Sequence, residues 1–249
     1  MPALDRLIDQ VQTARAEGGA LDIRGGGTKA FYGGALQGQP LDISPLAGIS
    51  SYEPSELVVT ARAGTPLAEL EAALDECGQC LAFEPPRFGV GGTSGDTSGG
   101  TVGGMVAAGL SGPSRATAGA VRDHVLGATL LNGKAEVLSF GGQVMKNVAG
   151  YDVSRVLPGS LGILGVICEV SLKVLPLPPA SATLRFDCSE AEAIERMQVW
   201  GGLPLPIQAS AWWQGALVVR LAGAMAAVQA AVQKMGGEGI DPLLAQRFW

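Results

Sequence analysis

Residues 24–29 and 91–112 constrain this chain most, because both hold too much glycine for an ordinary helix or a strand that packs through side chains. The first reads Arg24-Gly25-Gly26-Gly27-Thr28-Lys29 and follows a short apolar stretch. The second includes Gly99-Gly100-Thr101-Val102-Gly103-Gly104 and closes on Gly109-Leu110-Ser111-Gly112. The whole chain has 249 residues and 37 glycines, about twice the usual share of roughly 7%. Such an excess implies tight turns and backbone that lies close against other groups. Consecutive glycines also let several N–H groups face one anion. Two segments of this kind, far apart in the chain, argue for a large ligand carrying two phosphates.

Other glycine-loop chemistries fit less well. A Walker loop needs Gly, four residues, then Gly-Lys-Ser/Thr, which residues 24–29 lack. A Rossmann spacing is met loosely by Gly25, Gly27 and Ala30, with Asp42 downstream. That loop must open a helix, and Gly33-Gly34 and Gly38 to Pro40 leave no room for one before Leu41. A glycine turn without a ligand is the remaining alternative. Around the second segment, residues 102–110 are small and apolar enough for a short buried helix. The glycines before it are expected to offer backbone donors at the helix's positive end, and a flat ring could lie on that bare backbone.

The net charge of −6 and the pI near 4.9 disfavour nucleic acid and anionic lipid. Residues 2–17 form a charged amphipathic pattern rather than a signal peptide. No uncharged apolar run reaches the roughly 20 residues of a membrane span, so a cytoplasmic protein without a transmembrane segment is expected. Cys77-Gly78-Gln79-Cys80 is a CxxC pair, but a metal site would need a second ligand pair. The only histidine, His124, stands alone, so no metal is expected and small-residue packing explains the cysteines.

Apolar spacing predicts a helix over 2–17, strands over 21–24, 41–43, 48–52 and 57–63, and a helix opened by Thr65 as N-cap with Pro66. Residues 125–131 and 135–140 form a hairpin about Asn132-Gly133. A short helix is expected over 151–157 and a strong strand over 165–175. Pro176-Leu177-Pro178-Pro179 marks a boundary. Beyond it, 180–249 reads βαββα, with a hairpin about Gln214-Gly215 and a last helix ending at Trp249. The fold class is therefore α+β, with one domain over 1–176 and a second over 180–249 that is expected to be incomplete.

The order of the motifs resembles the vanillyl-alcohol-oxidase, or PCMH-type, FAD-binding flavoproteins. It rests on residues 24–29, on Thr101–Gly109, on Val121-Arg122-Asp123-His124-Val125-Leu126-Gly127, on Gly150–Arg155 and on Gly159-Ser160-Leu161-Gly162-Ile163-Leu164-Gly165-Val166-Ile167. Within that superfamily, Phe83–Gly89, Gly109–Arg115 and Gln143–Asp152 resemble the FAD-binding E-type subunits of bacterial glycolate oxidase. The resemblance implies a PCMH-type FAD-binding domain followed by a partial cap. It also implies partners, namely a second flavin subunit and an iron–sulfur subunit, and oxidation of glycolate, a small 2-hydroxy acid, to glyoxylate. Membrane association would be peripheral, through those partners.

By the same resemblance, Arg24, Gly25, Gly26, Gly27, Thr28 and Lys29 contact the FAD pyrophosphate. Thr101, Val102, Gly103, Gly104, Gly109, Ser111 and Gly112 line the flavin, and Gly159, Ser160, Gly162, Gly165 and Ile167 lie along the adenosine half. Many relatives tether flavin through a histidine where this chain has Thr28, which implies non-covalent FAD. A bulky residue at Gly26 or Gly103 is expected to abolish flavin retention by filling the cofactor's space. Lys146 and Arg155 are candidate anion contacts, while Arg122 and Asp123 read as an exposed pair and His124 as structural. Trp212 and Trp213 fit substrate stacking or, equally well, a hairpin with one tryptophan in the core and one at an interface. Hydroxy-acid-oxidising relatives carry a base and metal-binding histidines in the cap, and no catalytic residue is assigned here. Two alternatives stand beside this reading: a stand-alone FAD dehydrogenase of another small hydroxy acid, and a non-catalytic assembly subunit with an empty flavin site.

Overall fold

The computed structural model describes residues 2–35, 37–89, 99–142 and 151–249. The chain forms two compact units, Met1–Ser111 with Ala120–Pro176, and Gly112–Gly119 with Leu177–Trp249.

In the first unit, helix α1 (Pro2–Glu17) buries Leu7, Val11 and Ala14, one stripe at helical spacing. Strand β1 (Leu21–Arg24) pairs in parallel with β2 (Gln39–Asp42) and delivers the first glycine segment at its end. Then come β3 (Ile49–Glu53), β4 (Val58–Arg62), helix α2 (Leu67–Glu76), β5 (Gln79–Leu81) and helix α3 (Val102–Ala108). Helix α4 (Arg115–Ala118) belongs to the second unit. The chain returns through α5 (Val121–His124), β6 (Val125–Leu131), β7 (Val137–Gly141) and β8 (Val166–Pro176). The main sheet runs β3-β4-β8-β6-β7, with β5 on the far end of β8, and every pairing is antiparallel.

β8 is the spine, because three strands pair along its 11 residues. It is buried on both faces: Val166, Ile167, Cys168, Val170, Leu172 and Val174 all lie in the core. Each such side chain contributes about 1.5–3 kcal/mol on full burial. Ser171 is buried too, and its hydroxyl is satisfied by Thr60 Oγ1 at 2.9 Å.

Several local expectations change under tertiary packing. Thr65 does not cap α2; Pro66 takes that position, and the buried Thr65 hydroxyl accepts from Gly48 N at 2.9 Å. The β6–β7 turn spans 132–136 rather than two residues, with Ala135 at φ 62 and Asn132 Oδ1 accepting from Lys134 N and Glu136 N. Within 151–157 only Ser154–Val156 forms a single 3-10 turn.

The second unit holds β9 (Ala180–Asp187), α6 (Glu190–Gly201), β10 (Ile207–Trp213), β11 (Ala216–Gly223), α7 (Met225–Met235), β12 (Glu238–Gly239) and α8 (Pro242–Phe248). Its antiparallel sheet runs β10-β11-β9-β12. Leu184, Phe186, Leu217, Val219 and Leu221 meet Val228 and Ala231 of α7 in the core. A capping box opens α6: Ser189 N donates to Glu192 Oε2 at 2.8 Å and Glu192 N to Ser189 Oγ at 3.4 Å. The Ser189 N–H, and then the Ser189 hydroxyl donating to the same Oε2 at 2.9 Å, hold the Glu192 carboxyl below the usual glutamate range. Neither tryptophan of the β10 end is in the core. Trp213 is exposed, and Trp212, also exposed, donates through Nε1 to Cys188 O at 3.1 Å. Residues 112–119 belong to this unit, not to the preceding stretch as the sequence suggests, because α4 packs on β10 and Thr117 Oγ1 donates to Gln208 O at 2.6 Å.

Candidate functional site: a glycine-lined dinucleotide cradle

The end of β1, the entry to α3 and the segment 159–162 meet in the first unit. A methyl on Gly25 would stand 2.5 Å from the Thr101 hydroxyl, and one on Gly99 would stand 2.8 Å from the Thr28 side chain. A methyl on Gly26 would reach the backbone of Gly99 and Gly100 at an ordinary 3.6 Å. The two glycine segments therefore lie against one another, with Gly25 and Gly99 each packed on a threonine side chain of the other segment and Gly26 facing the backbone of Gly99 and Gly100.

The third segment closes the ring. Gly109 ends α3 at φ 64, and a methyl there would fall 2.7 Å from Gly159 N. Gly159 N donates to Val106 O at 3.1 Å and Leu161 N to Ala107 O at 3.0 Å, docking residues 159–161 on the end of α3. A methyl on Gly162 would reach the Ile23 side chain of β1 at 3.1 Å.

The first segment is electrostatically unfinished. Among the described residues, no oxygen accepts from the N–H groups of Gly25, Gly26, Gly27, Thr28 or Lys29. These donors are open to water or to a bound anion, Gly26 and Gly27 being exposed, and a consecutive run of N–H groups can receive an anion. Lys29 is half-buried, and that desolvation lowers its ammonium's pKa; among the described residues no carboxylate pairs with it. The Ser160 hydroxyl is buried and also lacks a partner among the described residues. A phosphate-bearing dinucleotide fits these features: an anion for the donors and Lys29, and thin backbone where flat groups could lie.

The α3 N-terminus is not the donor site that the sequence suggests. Its first N–H groups are already used: Val102 N by Thr65 O, Gly103 N by Ala63 O, Gly104 N by Thr101 Oγ1 and Met105 N by Thr101 O. Thr101 is the N-cap, and with Val102 it is buried in the fold. Gly103 is small for another reason, since a methyl there would sit 2.6 Å from the Ala63 Cβ. Its position makes room for the backbone and side chain of Ala63 at the end of β4.

Other candidate residues are also placed by packing. Arg24 is held by the buried Asp22 carboxylate. A methyl on Gly165 would fall 2.5 Å from Leu131 O, and Ile167 is in the core opposite Leu130. The Ser111 hydroxyl is engaged with Gly109 and Val121, and Gly112 lies in the second unit. Arg155 pairs with Asp152 at 3.0 Å. Asp123 accepts from Ala120 N at 2.8 Å, capping α5 rather than pairing with Arg122. His124 is buried against Phe83, ring centroids 5.8 Å apart. Cys77 caps the C-terminal end of α2 and Cys80 pairs with Leu175 in the sheet, both as free thiols. Residues 91–98 of the second glycine segment, and 143–150 with Lys146, lie outside the described residues.

The class that this fold and cradle define is a flavin-type dinucleotide-binding domain of α+β architecture. Comparison with known proteins makes the family explicit: residues 4–141 match the FAD binding domain family, and the chain belongs to that family. It is 46% identical to glycolate oxidase subunit GlcE of Escherichia coli (strain K12), over 98% of this chain and 66% of that subunit. It is 29% identical to the mitochondrial D-lactate dehydrogenase [cytochrome] of Arabidopsis thaliana, over 66% of this chain and 26% of that enzyme. A solved alkyldihydroxyacetonephosphate synthase shares the fold, with a TM-score of 0.70 at 17% identity over 98% of this chain and 55% of that one. The chain thus spans about two thirds or less of the curated relatives it matches. Among the described residues, no helix is long and apolar enough to cross a membrane.

Proposed function

We propose that this chain is the FAD-binding subunit of a complex that oxidises glycolate to glyoxylate. The observation that carries the reading is the run of N–H groups from Gly25 to Lys29, unpaired among the described residues, in a chain 46% identical to a glycolate oxidase subunit. Bound FAD supplies the two-electron chemistry, while the protein positions it and sets its potential. Gly25–Lys29 take the pyrophosphate, with the Lys29 ammonium offsetting its charge. The bare backbone about Gly99, Gly100, Gly159 and Gly162 admits the flat parts of the cofactor, and Ser160 offers a hydroxyl. Thr28 offers no ring nitrogen for a covalent tether, so FAD is held non-covalently. Residues 180–249 serve as part of a cap. The partners are a second flavin subunit and an iron–sulfur subunit, in the cytoplasm or at the inner face of the membrane through the complex.

The test is the visible spectrum of the purified chain before and after acid precipitation. A flavin band released to the supernatant supports the reading, and its bleaching by glycolate with the partner subunits completes it. Bleaching of the isolated chain by a different hydroxy acid would favour a stand-alone dehydrogenase. A chain that stays colourless and does not take up added FAD, yet binds its partners, would make it an assembly subunit.

A further inference from the structure

The chain leaves the first unit at Gly112 and re-enters it at Ala120, so residues 112–119 form an excursion that belongs to the second unit. Both ends of it are glycines in the left-handed region, Gly112 at φ 73 and Gly119 at φ 92. At its base stands Ser111, 5% exposed. The Ser111 hydroxyl donates to Gly109 O at 3.2 Å on the outgoing leg and accepts from Val121 N at 3.2 Å on the returning leg. The Ser111 carbonyl accepts from Glu84 N at 3.0 Å, which pins the same residue from a third side. The side chain's one hydroxyl is therefore committed to backbone as both donor and acceptor. At the far end of the excursion, Thr117 Oγ1 is bonded to Gln208 O of β10.

We infer that Ser111 is a positioning residue, a staple that closes the base of the 112–119 excursion and so fixes the Gly109 turn on which residues 159–161 dock. This rests on the reading that the Gly109 and Gly159 backbones border the FAD. The physical reason is local. Gly112 and Gly119 take left-handed backbone conformations at the two ends of the excursion, and α4 belongs to the second unit. The staple holds the outgoing and returning legs in register at the base. The hydroxyl acts on the flavin through the backbone and does not touch it.

The variants are Ser111→Ala, which removes the hydroxyl, and Ser111→Thr, which keeps it. Amide exchange at Val121, read on flavin-free chain, reports the staple itself. FAD affinity, the flavin's visible band shape and its midpoint potential report the positioning. In Ser111→Ala, Val121 exchange is expected to rise at least about tenfold. FAD affinity should fall about tenfold, equivalent to roughly 1.4 kcal/mol, with a shifted band shape and potential. Ser111→Thr should restore all of these. Unchanged Val121 exchange in Ser111→Ala would overturn the staple. Faster exchange with unchanged affinity, spectrum and potential would overturn the positioning role. Wild-type chain that takes up no FAD would overturn the functional reading and the positioning role with it, and the exchange arm would still decide whether the staple exists.

Discussion

Gly26 and Gly103 look interchangeable as sequence, yet their surroundings predict opposite behaviour on substitution by alanine. A methyl on Gly103 would lie 2.6 Å from the Ala63 Cβ and 3.0 Å from the Ala63 carbonyl oxygen, both in the packed interior. Overpacking of this kind costs about 1–3 kcal/mol, and a domain of 150–250 residues loses roughly 2–4 °C of Tm per kcal/mol. The flavin-free Gly103→Ala protein should therefore melt about 2–12 °C lower, with little change in the FAD affinity of the folded fraction. A methyl on Gly26 meets Gly99 and Gly100 only at 3.6 Å, an ordinary contact. Its flavin-free Tm should stay within about 2 °C, since an unstrained surface change is usually worth under roughly 0.5 kcal/mol. In the proposed reading the same methyl stands where the cofactor approaches the backbone, so FAD affinity should drop about tenfold or more. Melting curves of flavin-free protein and FAD titration by fluorescence separate the two. Ala63→Gly added to Gly103→Ala should recover part of the lost stability, because it removes the nearest clashing atom. An unchanged Tm in Gly103→Ala, or wild-type FAD affinity in Gly26→Ala, would refute the assignment of these glycines to packing and to the cradle.

Three further outcomes are expected. Lys29→Gln should weaken FAD binding by about tenfold or more, since a hydrogen bond to a charged group is worth roughly 1.5–3 kcal/mol, without lowering the flavin-free Tm. Burial depresses the Lys29 pKa below 10.5, so its penalty is absent above the unfolded pKa and is fully present once pH falls below the folded one. Neutral-pH melting of flavin-free wild type and variant checks the sign. In thiol alkylation followed by mass spectrometry, the exposed Cys77 should react in the native protein, while Cys168 should stay unmodified until unfolding. Cys168 is buried and its thiol is pushed up to about 11, which leaves almost no thiolate at neutral pH. Trp249→Phe should destabilise the second unit by about 1 kcal/mol, read by melting. It loses the Trp249 Nε1 donation to Thr183 Oγ1 at 3.1 Å and weakens the stacking of Arg220 over the ring at 5.0 Å.

Much of the fold was legible along the chain because its causes are local. The stripe of Leu7, Val11 and Ala14 requires a helix with one buried face. Ser189 and Glu192 announce the start of α6 three residues apart. The apolar run of β8 and the prolines after it mark a long strand and its end. The motif order of the glycine segments, with Thr28 where a covalent anchor would stand, was likewise readable as an FAD-binding pattern.

What tertiary structure alone decided is which atoms meet across the chain. Thr65 has the chemistry of an N-cap, but the nearby Gly48 backbone competes for its hydroxyl and wins. The first turn of α3 looks like an anion site until Thr65, Ala63 and Thr101 are seen to consume its donors. Gly25 and Gly26 face the other glycine segment, whereas Gly103 faces a buried alanine. Residues 112–119 carry no composition that assigns them to the second unit; the packing of α4 on β10 does. Periodicity and turn chemistry are properties of neighbours in sequence. The role of a glycine or a hydroxyl is set by whatever packs directly against it, and that neighbour can lie far away along the chain.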